Sequence, residues 1–560
     1  MRLGLLIPLL LASIASSQDL VSEYDVRVPM RDGVRLSANV FHRGGRSPAI
    51  LVRTPYGKGT DLSSTYRPFV DNGYVVVVED VRGRGRSEGV FRALEQEVND
   101  GHDTLDWMAA QRWSDGKIGM VGGSYLGIVQ WKAAISDNPY LKAISPVVSG
   151  GDDYEDRFYS TGGALKLGHR LLWLAENLRA PGFAHPDFQK YVLHLPLRSS
   201  DQAATGQTIE MFQRALDHPA YDAFWKSVST REQLDKVHIP VLAFGGWYDN
   251  YAESDLESFR RLRAMSREAR VVIGPWAHNT SVPFEGISFG PQAQAAIRRM
   301  QLRWFDRWLK QSPPAKDDSP PARIFVMGSN QWQEEREWPP ARAREAEWYL
   351  ESGGKANSLN GDGRLLETRP RRRARDHFVY DPHKPVPTQG GAVCCDPAIF
   401  PWGPMDQRPA ESRQDVLVYT SASLARDLEV IGPVKAVIFV STTAPDTDFT
   451  AKLVDVYPDG RASILCDGIL RLRYRESIEK PRLSVAGVAY RITIDAGVTA
   501  NVFRTGHRLR LEISSSNFPR FDRNPNTGTR VADEVKLRVA TQTVYHDAQH
   551  PSHLLLPVVH

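Results

Sequence analysis

A chain of 560 residues is too long for one domain, and the usual domain size predicts about three. Hydrophobic residues make up 41% of the sequence and charged residues 24%, as in ordinary soluble enzymes. The net charge of +4 comes from 70 basic and 66 acidic residues. Because the two charges are nearly balanced, the composition argues against a nucleic-acid partner.

The N-terminus has the composition of a secretory signal peptide. Arg2 is followed by an apolar stretch too short to span a bilayer, and small residues then lead to Ser17. We expect residues 1–17 to be cleaved and the protein to be secreted or periplasmic, with an N-terminal membrane anchor as the alternative. The remaining sequence contains no stretch apolar enough for a stable membrane span.

Cysteine is rare in this chain. Cys394, Cys395 and Cys466 allow one disulfide and leave one odd thiol, and the sequence does not decide whether Cys466 pairs with Cys394 or Cys395. Their spacing is not that of a metal site, so we expect neither a metal nor an organic cofactor.

Strands and helices alternate in the first part of the chain. Residues 24–41 show the alternation of edge strands around a turn at Asp32-Gly33, and the stretch 95–111 has apolar residues at helical spacing. Continuous apolar runs predict buried parallel strands at 49–52, 74–78, 118–121 and 143–148. This rhythm predicts an α/β sheet with crossover connections.

The alternation of strands and helices stops at about residue 150, resumes after 235 and later gives way to short strands alone. Residues 150–235 contain helical patterns and no buried strand, which predicts a helical cap over the carboxyl edge of the sheet. Strands at 240–244 and 270–274 then resume the α/β pattern, while short alternating segments after 415 predict an all-β sandwich. The predicted units are a core at 18–149 and 236–345, a cap at 150–235 and a C-terminal sandwich at 346–560.

One serine stands among glycines where a strand should turn into a helix. In Gly122-Gly123-Ser124-Tyr125-Leu126-Gly127 the pattern approaches the Gly-x-Ser-x-Gly nucleophile elbow, although Leu126 holds the place of the second glycine and Gly127 comes one residue later. Such a turn exposes the hydroxyl of Ser124 and aims the backbone N–H of Tyr125 at a developing oxyanion. An ordinary Gly/Ser turn is the alternative.

An acid and a histidine follow Ser124 in the order that α/β-hydrolase chemistry requires. Asp249 comes after one predicted strand and His278 after the next. A neutral imidazole would take the proton of the serine, and a carboxylate would orient that ring. The alternatives are a helix cap for Asp249 and a hydrogen-bonded loop histidine for His278.

Other polar residues compete less well for these roles. Neither His102 nor His169 follows a strand after the serine. Asp255 is expected at a surface position of the helix after Asp249.

The segments around Ser124, Asp249 and His278 resemble those of the family of cocaine esterase, glutaryl-cephalosporanate acylase and α-amino-acid ester hydrolase. That family is related to the serine X-prolyl dipeptidyl peptidases. The family's Gly-x-Ser-Tyr-x-Gly motif is similar to Gly122–Gly127, with the late glycine included. The other segments that carry the resemblance are 53–58, 80–89, 246–249, 274–278 and 381–391.

The resemblance implies an α/β-hydrolase core, an inserted helical cap and a jelly-roll-like C-terminal β-sandwich. It also implies that the Tyr56 hydroxyl shares the oxyanion hole with the Tyr125 N–H, with a packed loop aromatic as the alternative for Tyr56. Candidates for the acyl pocket are Phe158, Trp173 and Tyr251, which could equally be core residues.

One departure from the family narrows the substrate. The α-amino-acid ester hydrolases carry an acidic residue just after the triad aspartate, whereas Asn250 follows Asp249 here. A free α-amino group is therefore not obviously recognised. The acidic residues of the cap could supply a replacement or form a solvated face: Asp152, Asp153, Glu155 and Asp156.

The sequence thus predicts a secreted serine hydrolase that cleaves small carboxylic esters, or amides, through an acyl-enzyme. Alternatives are an X-prolyl dipeptidyl-peptidase or a β-lactam acylase with the same triad, and a catalytically inert carbohydrate- or surface-binding protein. The oligomeric state is left open, a homo-oligomer included.

Overall fold

The computed structural model describes residues 19–93, 95–281, 284–311, 318–371 and 374–559. The predicted signal peptide at 1–17 lies outside these ranges. Within them, no helix has the length and apolar character needed to cross a membrane.

The first of two large sheets has ten strands in the spatial order β1-β2-β4-β3-β5-β6-β7-β8-β9-β10. Neighbours from β4 to β9 are parallel, whereas β1, β2 and β10 join antiparallel at the two edges. The strands are β1 (Val21–Pro29), β2 (Arg35–His42), β3 (Ser47–Thr54), β4 (Val75–Asp80), β5 (Ser114–Gly123), β6 (Leu141–Val147), β7 (Val241–Tyr248), β8 (Ala269–Ala277), β9 (Ala322–Val326) and β10 (Gln331–Glu335).

The α-helices cover this sheet, build the cap or, in one case, lie in the C-terminal part. They are α1 (Arg67–Asp71), α2 (Glu97–Ala109), α3 (Tyr125–Ala134), α4 (Leu167–Asn177), α5 (Phe188–Val192), α6 (Ser200–Thr205), α7 (Glu210–Asp217), α8 (Ala223–Val228), α9 (Ala252–Ala264), α10 (Ile297–Phe305) and α11 (Arg408–Glu411). Shorter 3-10 and π-helical turns connect them, among them the π-helical turn Asp153–Phe158.

Helices pack on both faces of the ten-stranded sheet. Leu51 belongs to the core shared with α2, α3 and α9, whereas its neighbour Val52 belongs to the core shared with α1 and α10. Because successive side chains of a strand point to opposite faces, a strand buried on both faces must be apolar throughout. This explains the uninterrupted apolar runs of the sequence.

The cap lies between β6 and β7. Residues 150–235, all of which the structure describes, contain α4 to α8 and no strand of either sheet.

The second sheet has eleven strands and belongs to the C-terminal part. Ten of them follow the order β13-β20-β15-β21-β11-β12-β14-β19-β16-β17, and β18 pairs with β15. This sheet begins at Ala343, near the boundary expected at 345. Its strands are β11 (Ala343–Glu351), β12 (Arg364–Leu366), β13 (Arg375–Tyr380), β14 (Leu417–Ser421), β15 (Leu428–Thr442), β16 (Asp448–Val456), β17 (Ala462–Arg471), β18 (Tyr490–Phe503), β19 (Arg508–Ser514), β20 (Ala540–Tyr545) and β21 (His553–Val559).

The cap is attached to this second sheet through its backbone. Gly162 pairs with Leu470 of β17, and a Cβ atom at Gly162 would lie 2.0 Å from the carbonyl oxygen of Ile469. The Leu165 N–H donates to Asp522 Oδ1 at 2.8 Å, and the N–H of Gly168 in α4 donates to the Pro519 carbonyl at 2.7 Å. The first turn of α4 is thus fixed by the C-terminal domain.

The structure joins Cys394 to Cys395 in a disulfide between adjacent residues. Cys466 is a buried free thiol on β17. The one disulfide that the sequence allows therefore joins Cys394 to Cys395, and Cys466 is the odd thiol.

Candidate active site

Ser124 occupies the sharp turn between β5 and α3. Its backbone has φ +55° and ψ −125°, in the left-handed region that an L-residue adopts only under strain. Two backbone hydrogen bonds hold this conformation: the Ser124 N–H donates to the Val147 carbonyl at 2.9 Å, and the Gly127 N–H donates to the Ser124 carbonyl at 2.8 Å. This is the geometry of a nucleophile elbow.

Two glycines allow this turn to form. Gly122 has φ +142°, and a Cβ atom there would lie 2.4 Å from Cβ of Leu126. A Cβ atom on Gly127 would lie 2.5 Å from Cβ of Ser149. The late glycine of the motif therefore has a steric reason, because α3 passes Ser149 too closely for any side chain at position 127.

Asp249 and His278 lie at the carboxyl ends of β7 and β8, as their order in the chain predicts. His278 Nε2 is 3.0 Å from Ser124 Oγ, and His278 Nδ1 is 2.6 Å from Asp249 Oδ2. The other carboxylate oxygen of Asp249 accepts the Tyr251 N–H at 3.0 Å, and the Asp249 side chain is fully buried. With a proton on Nδ1 for Asp249, His278 presents an accepting Nε2 to the serine hydroxyl.

The Tyr56 hydroxyl lies beside this chain of hydrogen bonds. Tyr56 follows β3, and the indole N–H of Trp173 donates to its hydroxyl oxygen at 3.1 Å. Burial raises the pKa of the Tyr56 phenol, although hydrogen bonds from Trp173 and Ser124 act in the opposite direction. The phenol is thus a neutral hydroxyl at neutral pH and can donate a hydrogen bond.

Tyr125 is the first residue of α3, and its side chain is anchored behind the site. Its hydroxyl donates to Glu97 Oε1 at 2.8 Å, and its ring stacks parallel to that of Trp173 with 6.3 Å between centroids. Glu97 in turn pairs with Arg53 at 2.8 Å, and Arg53 pairs with Glu79 at 2.7 Å.

Arg53 therefore supports the Tyr125 side chain through Glu97, within a buried ion network on β3 and β4. Sequence reasoning did not find this network, although charged residues in two apolar strands, Arg53 in β3 and Glu79 in β4, are its visible trace.

A cavity of about 310 Å³ opens beside Ser124 under the cap. Trp173 and Tyr251 line it, as the sequence predicts, and so do three residues that were not predicted as pocket residues: Arg157, His169 and Arg170. Its remaining lining residues are Tyr56, Tyr125, Ile128, Glu176, Asn177, Met211, His278, Cys394 and Cys395.

Phe158 is not among the residues that line this cavity, so its prediction as a pocket residue is corrected. Its ring is buried against Trp225, with 5.5 Å between centroids, and the Arg170 guanidinium lies 4.6 Å from its centroid. The π-helical turn places the Phe158 ring in the core of the cap, where it packs against Arg170 of the cavity wall.

Asp255 is also corrected, because only 1% of it is exposed. It lies on the face of α9 that packs against the sheet and the cap, where its Oδ1 accepts the Gly150 N–H at 3.2 Å. Burial, together with the neighbouring carboxylates of Asp249 and Asp156, raises its pKa well above the usual value.

The acidic residues of the cap form neither a solvated face nor part of the cavity wall. Asp152, Asp153 and Asp156 are buried, and Glu155 pairs with Arg231. Asp152 accepts hydrogen bonds from Ser229 and Tyr221, at 2.7 Å and 3.2 Å.

A second, wider cavity of about 830 Å³ reaches Ser124 and His278 from the other side. Thr65, Tyr66 and the first turn of α10, with Ile297 and Arg298, line it. Ser124 thus stands between a smaller cavity under the cap and a wider opening along α10.

Comparison with known proteins finds relatives over nearly the whole chain. Residues 32–280 match the model of the X-Pro dipeptidyl-peptidase (S15) family, and residues 314–555 match the X-Pro dipeptidyl-peptidase C-terminal non-catalytic domain. Cocaine esterase of Rhodococcus sp. (strain MB1 Bresler) is 39% identical, over 96% of this chain and 98% of its own length. The chain belongs to the cocaine esterase-like members of the S15 family.

Solved structures share the fold of this protein over nearly the whole chain. An aminopeptidase from the marine sediment archaeon Thaumarchaeota archaeon superimposes with a TM-score of 0.85 at 25% identity, over 99% of both chains. An α-amino-acid ester hydrolase gives a TM-score of 0.83 at 26% identity, over 99% of this chain and 98% of its own. The α/β-hydrolase core and the all-β C-terminal domain are confirmed, and this S15 member is a serine hydrolase rather than an inert binding protein.

Proposed function

We propose that this S15-family hydrolase cleaves carboxylic esters through an acyl-enzyme formed on Ser124. One observation carries the proposal: Ser124, His278 and Asp249 form a continuous chain of hydrogen bonds of 3.0 Å and 2.6 Å at the floor of a cavity. The likeness to a cocaine esterase over nearly the full length supports an ester substrate.

In the first half of the reaction, Ser124 Oγ attacks the ester carbonyl while its proton passes to His278 Nε2. Asp249 holds the ring and stabilises the imidazolium. Collapse of the tetrahedral intermediate breaks the bond to the alcohol oxygen, which takes the proton from His278. Water then attacks the acyl-enzyme, with His278 again as base, and the products are a carboxylic acid and an alcohol.

The oxyanion of each intermediate would be held by two donors from different elements. The Tyr125 N–H belongs to the N-terminus of α3, where the helix dipole favours negative charge. The Tyr56 hydroxyl approaches from the loop after β3. Removal of one such donor in other hydrolases lowers kcat by about 10²- to 10³-fold.

Amide cleavage by the same triad is the alternative, since an aminopeptidase shares the fold. The residues after Asp249 argue against recognition of a free amine, because Asn250, Tyr251 and Ala252 carry no charge. Aryl acetates and butyrates, compared with Xaa-Pro anilides, separate the two activities. A higher kcat/KM for the anilides would overturn the ester assignment.

Labelling with a fluorophosphonate probe tests the nucleophile. We expect the folded wild-type protein to be labelled at Ser124 and the Ser124→Ala protein to be unlabelled and inactive. Ser227→Ala, at an exposed cap position, is the matched control and should be labelled normally. Labelling that survives Ser124→Ala would refute the assignment.

We also propose that the protein is exported with cleavage near Ser17, on the strength of the composition of residues 1–17. N-terminal sequencing of protein recovered from the periplasm or the medium tests this. A chain that still begins at Met1 would contradict it.

A further inference from the structure

The disulfide between Cys394 and Cys395 lies in the wall of the cavity beside Ser124. Cys394 is buried and Cys395 is half-buried, and both line the cavity of about 310 Å³ under the cap. Among the described residues that line this cavity, they are the two that the C-terminal domain supplies. The C-terminal domain therefore reaches the catalytic cavity through a disulfide.

The loop that carries this disulfide is held both at its base and against the cap. Gly391 and Gly403 exchange two backbone hydrogen bonds, of 2.8 Å and 3.0 Å, which close the base of the loop. Cys395 Sγ lies 3.6 Å from the carbonyl oxygen of His169 in α4. The disulfide is thus in contact with the helix that also carries Trp173 into the cavity.

Stabilisation of the fold does not explain a disulfide at this position. In the chain-entropy model a disulfide stabilises a protein by closing a loop, and its effect grows with the length of that loop. Adjacent residues enclose only their own peptide bond, so the gain is small. The restraint is local instead: φ of Cys395 is a torsion of the small ring that the disulfide closes, and it is +95°, a value that residues other than glycine rarely adopt. The disulfide therefore fixes the shape of the cavity wall.

An apolar acyl chain is the ligand that suits this wall. Sulfur is soft and polarisable and packs well against hydrocarbon, and Ile128, Trp173 and Met211 add apolar surface to the same cavity. Tyr56 and Tyr125 line it as well, so an ester whose carbonyl oxygen they hold has its acyl chain at the mouth of this space. The alcohol can then leave through the wider opening along α10.

We propose that the Cys394–Cys395 disulfide is a specificity-determining part of the cavity wall that contacts the acyl chain of the substrate, and that a dithiol reductant opens it and so lowers hydrolysis of esters with longer apolar acyl chains. This inference rests on the proposed ester hydrolysis at Ser124. It adds a site of thiol–disulfide exchange and names the acyl groups that depend on it.

The exchange proceeds in two displacements. A thiolate of the reductant attacks one sulfur, the bond between Cys394 and Cys395 breaks, and one cysteine leaves as a thiolate while the other forms a mixed disulfide. The second thiolate of the reductant then displaces that cysteine, and the reductant departs as its own disulfide. Two electrons pass to the pair, and each cysteine takes up a proton.

Opening the ring changes the wall in two ways. The two sulfurs become separate thiols, each with an S–H group. The φ torsion of Cys395 is also released from the ring, so the residue can leave the left-handed region. The rigid apolar surface is then lost, although the base of the loop at Gly391 and Gly403 remains closed.

Alkylation of the folded full-length protein tests access to the disulfide. N-ethylmaleimide should modify neither Cys394 nor Cys395 before treatment with dithiothreitol and both of them afterwards, as measured by mass spectrometry of the peptides. Modification without reductant would show that the pair is not oxidised, and modification only after unfolding in urea would show that a reductant does not reach it. Either result overturns the exchange site.

Two esters that differ in acyl length test the contact with substrate. The kcat/KM for 4-nitrophenyl hexanoate, divided by that for 4-nitrophenyl acetate, is measured before reduction, after removal of dithiothreitol in oxygen-free buffer, and after reoxidation with diamide. Reduction should lower this ratio at least about fourfold, which is the effect of withdrawing one methylene group from apolar contact. Reoxidation should restore it.

Two cysteine variants complete the test. The double variant Cys394→Ser with Cys395→Ser keeps the side-chain size but cannot form the bond, so its ratio should be low before and after dithiothreitol. Cys466→Ser, at the buried free thiol of β17, is the matched control and should keep both the wild-type ratio and its fall on reduction.

The outcomes separate this inference from the proposed function. If esters are cleaved in a Ser124-dependent way and both thiols become alkylated, but the ratio falls less than fourfold, the disulfide is not a substrate contact and the esterase assignment stands. If neither ester is cleaved, the esterase assignment fails and the acyl preference fails with it, whereas alkylation still decides whether the cavity contains an exchange site.

Discussion

Replacing Tyr56 by phenylalanine isolates the contribution of one hydroxyl to catalysis. Tyr56 is 45% exposed as a residue, and its hydroxyl accepts a 3.1 Å hydrogen bond from Trp173 next to Ser124. Loss of an oxyanion donor is expected to lower kcat by about 10²- to 10³-fold, which corresponds to about 2.7–4 kcal/mol. KM should change little, because the lost bond strengthens only when negative charge develops on the substrate oxygen.

Stability should respond quite differently to the same change. A half-exposed side chain that loses one hydroxyl alters the free energy of unfolding by about 0.5–1.5 kcal/mol, and the unpaired Trp173 N–H accounts for part of that. Steady-state hydrolysis of 4-nitrophenyl butyrate gives kcat and KM, and urea unfolding gives stability.

Trp173→Phe separates orientation of the Tyr56 hydroxyl from donation by it. This variant keeps the hydroxyl but removes its hydrogen-bonded neighbour, so its kcat should fall less than that of Tyr56→Phe. A Tyr56→Phe enzyme that retains more than one-tenth of wild-type kcat would refute the role of Tyr56 in the oxyanion hole.

Two further predictions concern packing and pH. Gly127→Ala should destabilise the protein by about 1–3 kcal/mol in urea unfolding, because the new Cβ would lie 2.5 Å from Ser149 Cβ; an unchanged midpoint would contradict the steric reading of the late glycine. Asp255→Asn should gain stability relative to wild type as pH rises above about 4, by up to about 1.4 kcal/mol per pH unit. The direction follows from the raised pKa of Asp255 in the folded protein, which keeps the carboxyl protonated while the unfolded chain loses that proton. The wild-type protein therefore has the full stabilisation from this group below the unfolded pKa and loses it as pH rises, whereas the asparagine variant does not. Unfolding measured from pH 4 to 7 checks this, and a difference that does not vary with pH would show that folded Asp255 is ionised.

The order of the chain was sufficient to predict which residues meet at the site. Parallel strands place their carboxyl ends at one edge, so a serine, an acid and a histidine that follow β5, β7 and β8 converge. The geometry of Ser124, Asp249 and His278 agrees with that prediction.

The sequence could not predict which polar side chains are buried. Helical spacing shows that Asp255 and Arg170 share helices with apolar residues, but it does not show which further element covers each face. Asp255 accepts a hydrogen bond from the Gly150 N–H at the start of the cap, and the Arg170 guanidinium packs over Phe158. An arginine within the apolar stretch Leu167–Leu174 was the available sign of a buried charge.

The sequence did not predict the strands β9 and β10, and for β10 the cause is again the influence of tertiary contacts. Gln331–Glu335 carries four polar residues out of five and has no apolar alternation, so its pairing with β9 comes from tertiary context. The C-terminal domain likewise begins where β11 pairs with the final strand, β21, a contact between residues about 200 positions apart.

The backbone contacts between the cap and the C-terminal domain have a consequence for evolution and engineering. Trp173 and Arg170 lie on a helix whose first turn is hydrogen-bonded to Pro519, while the Gly162 loop before it allows no side chain against β17. A cap transplanted from a relative would therefore bring its substrate preference only together with the matching surface of its sandwich. The cap and the C-terminal domain fall in two separately matched sequence families, but in this protein a change in one requires a compatible change in the other.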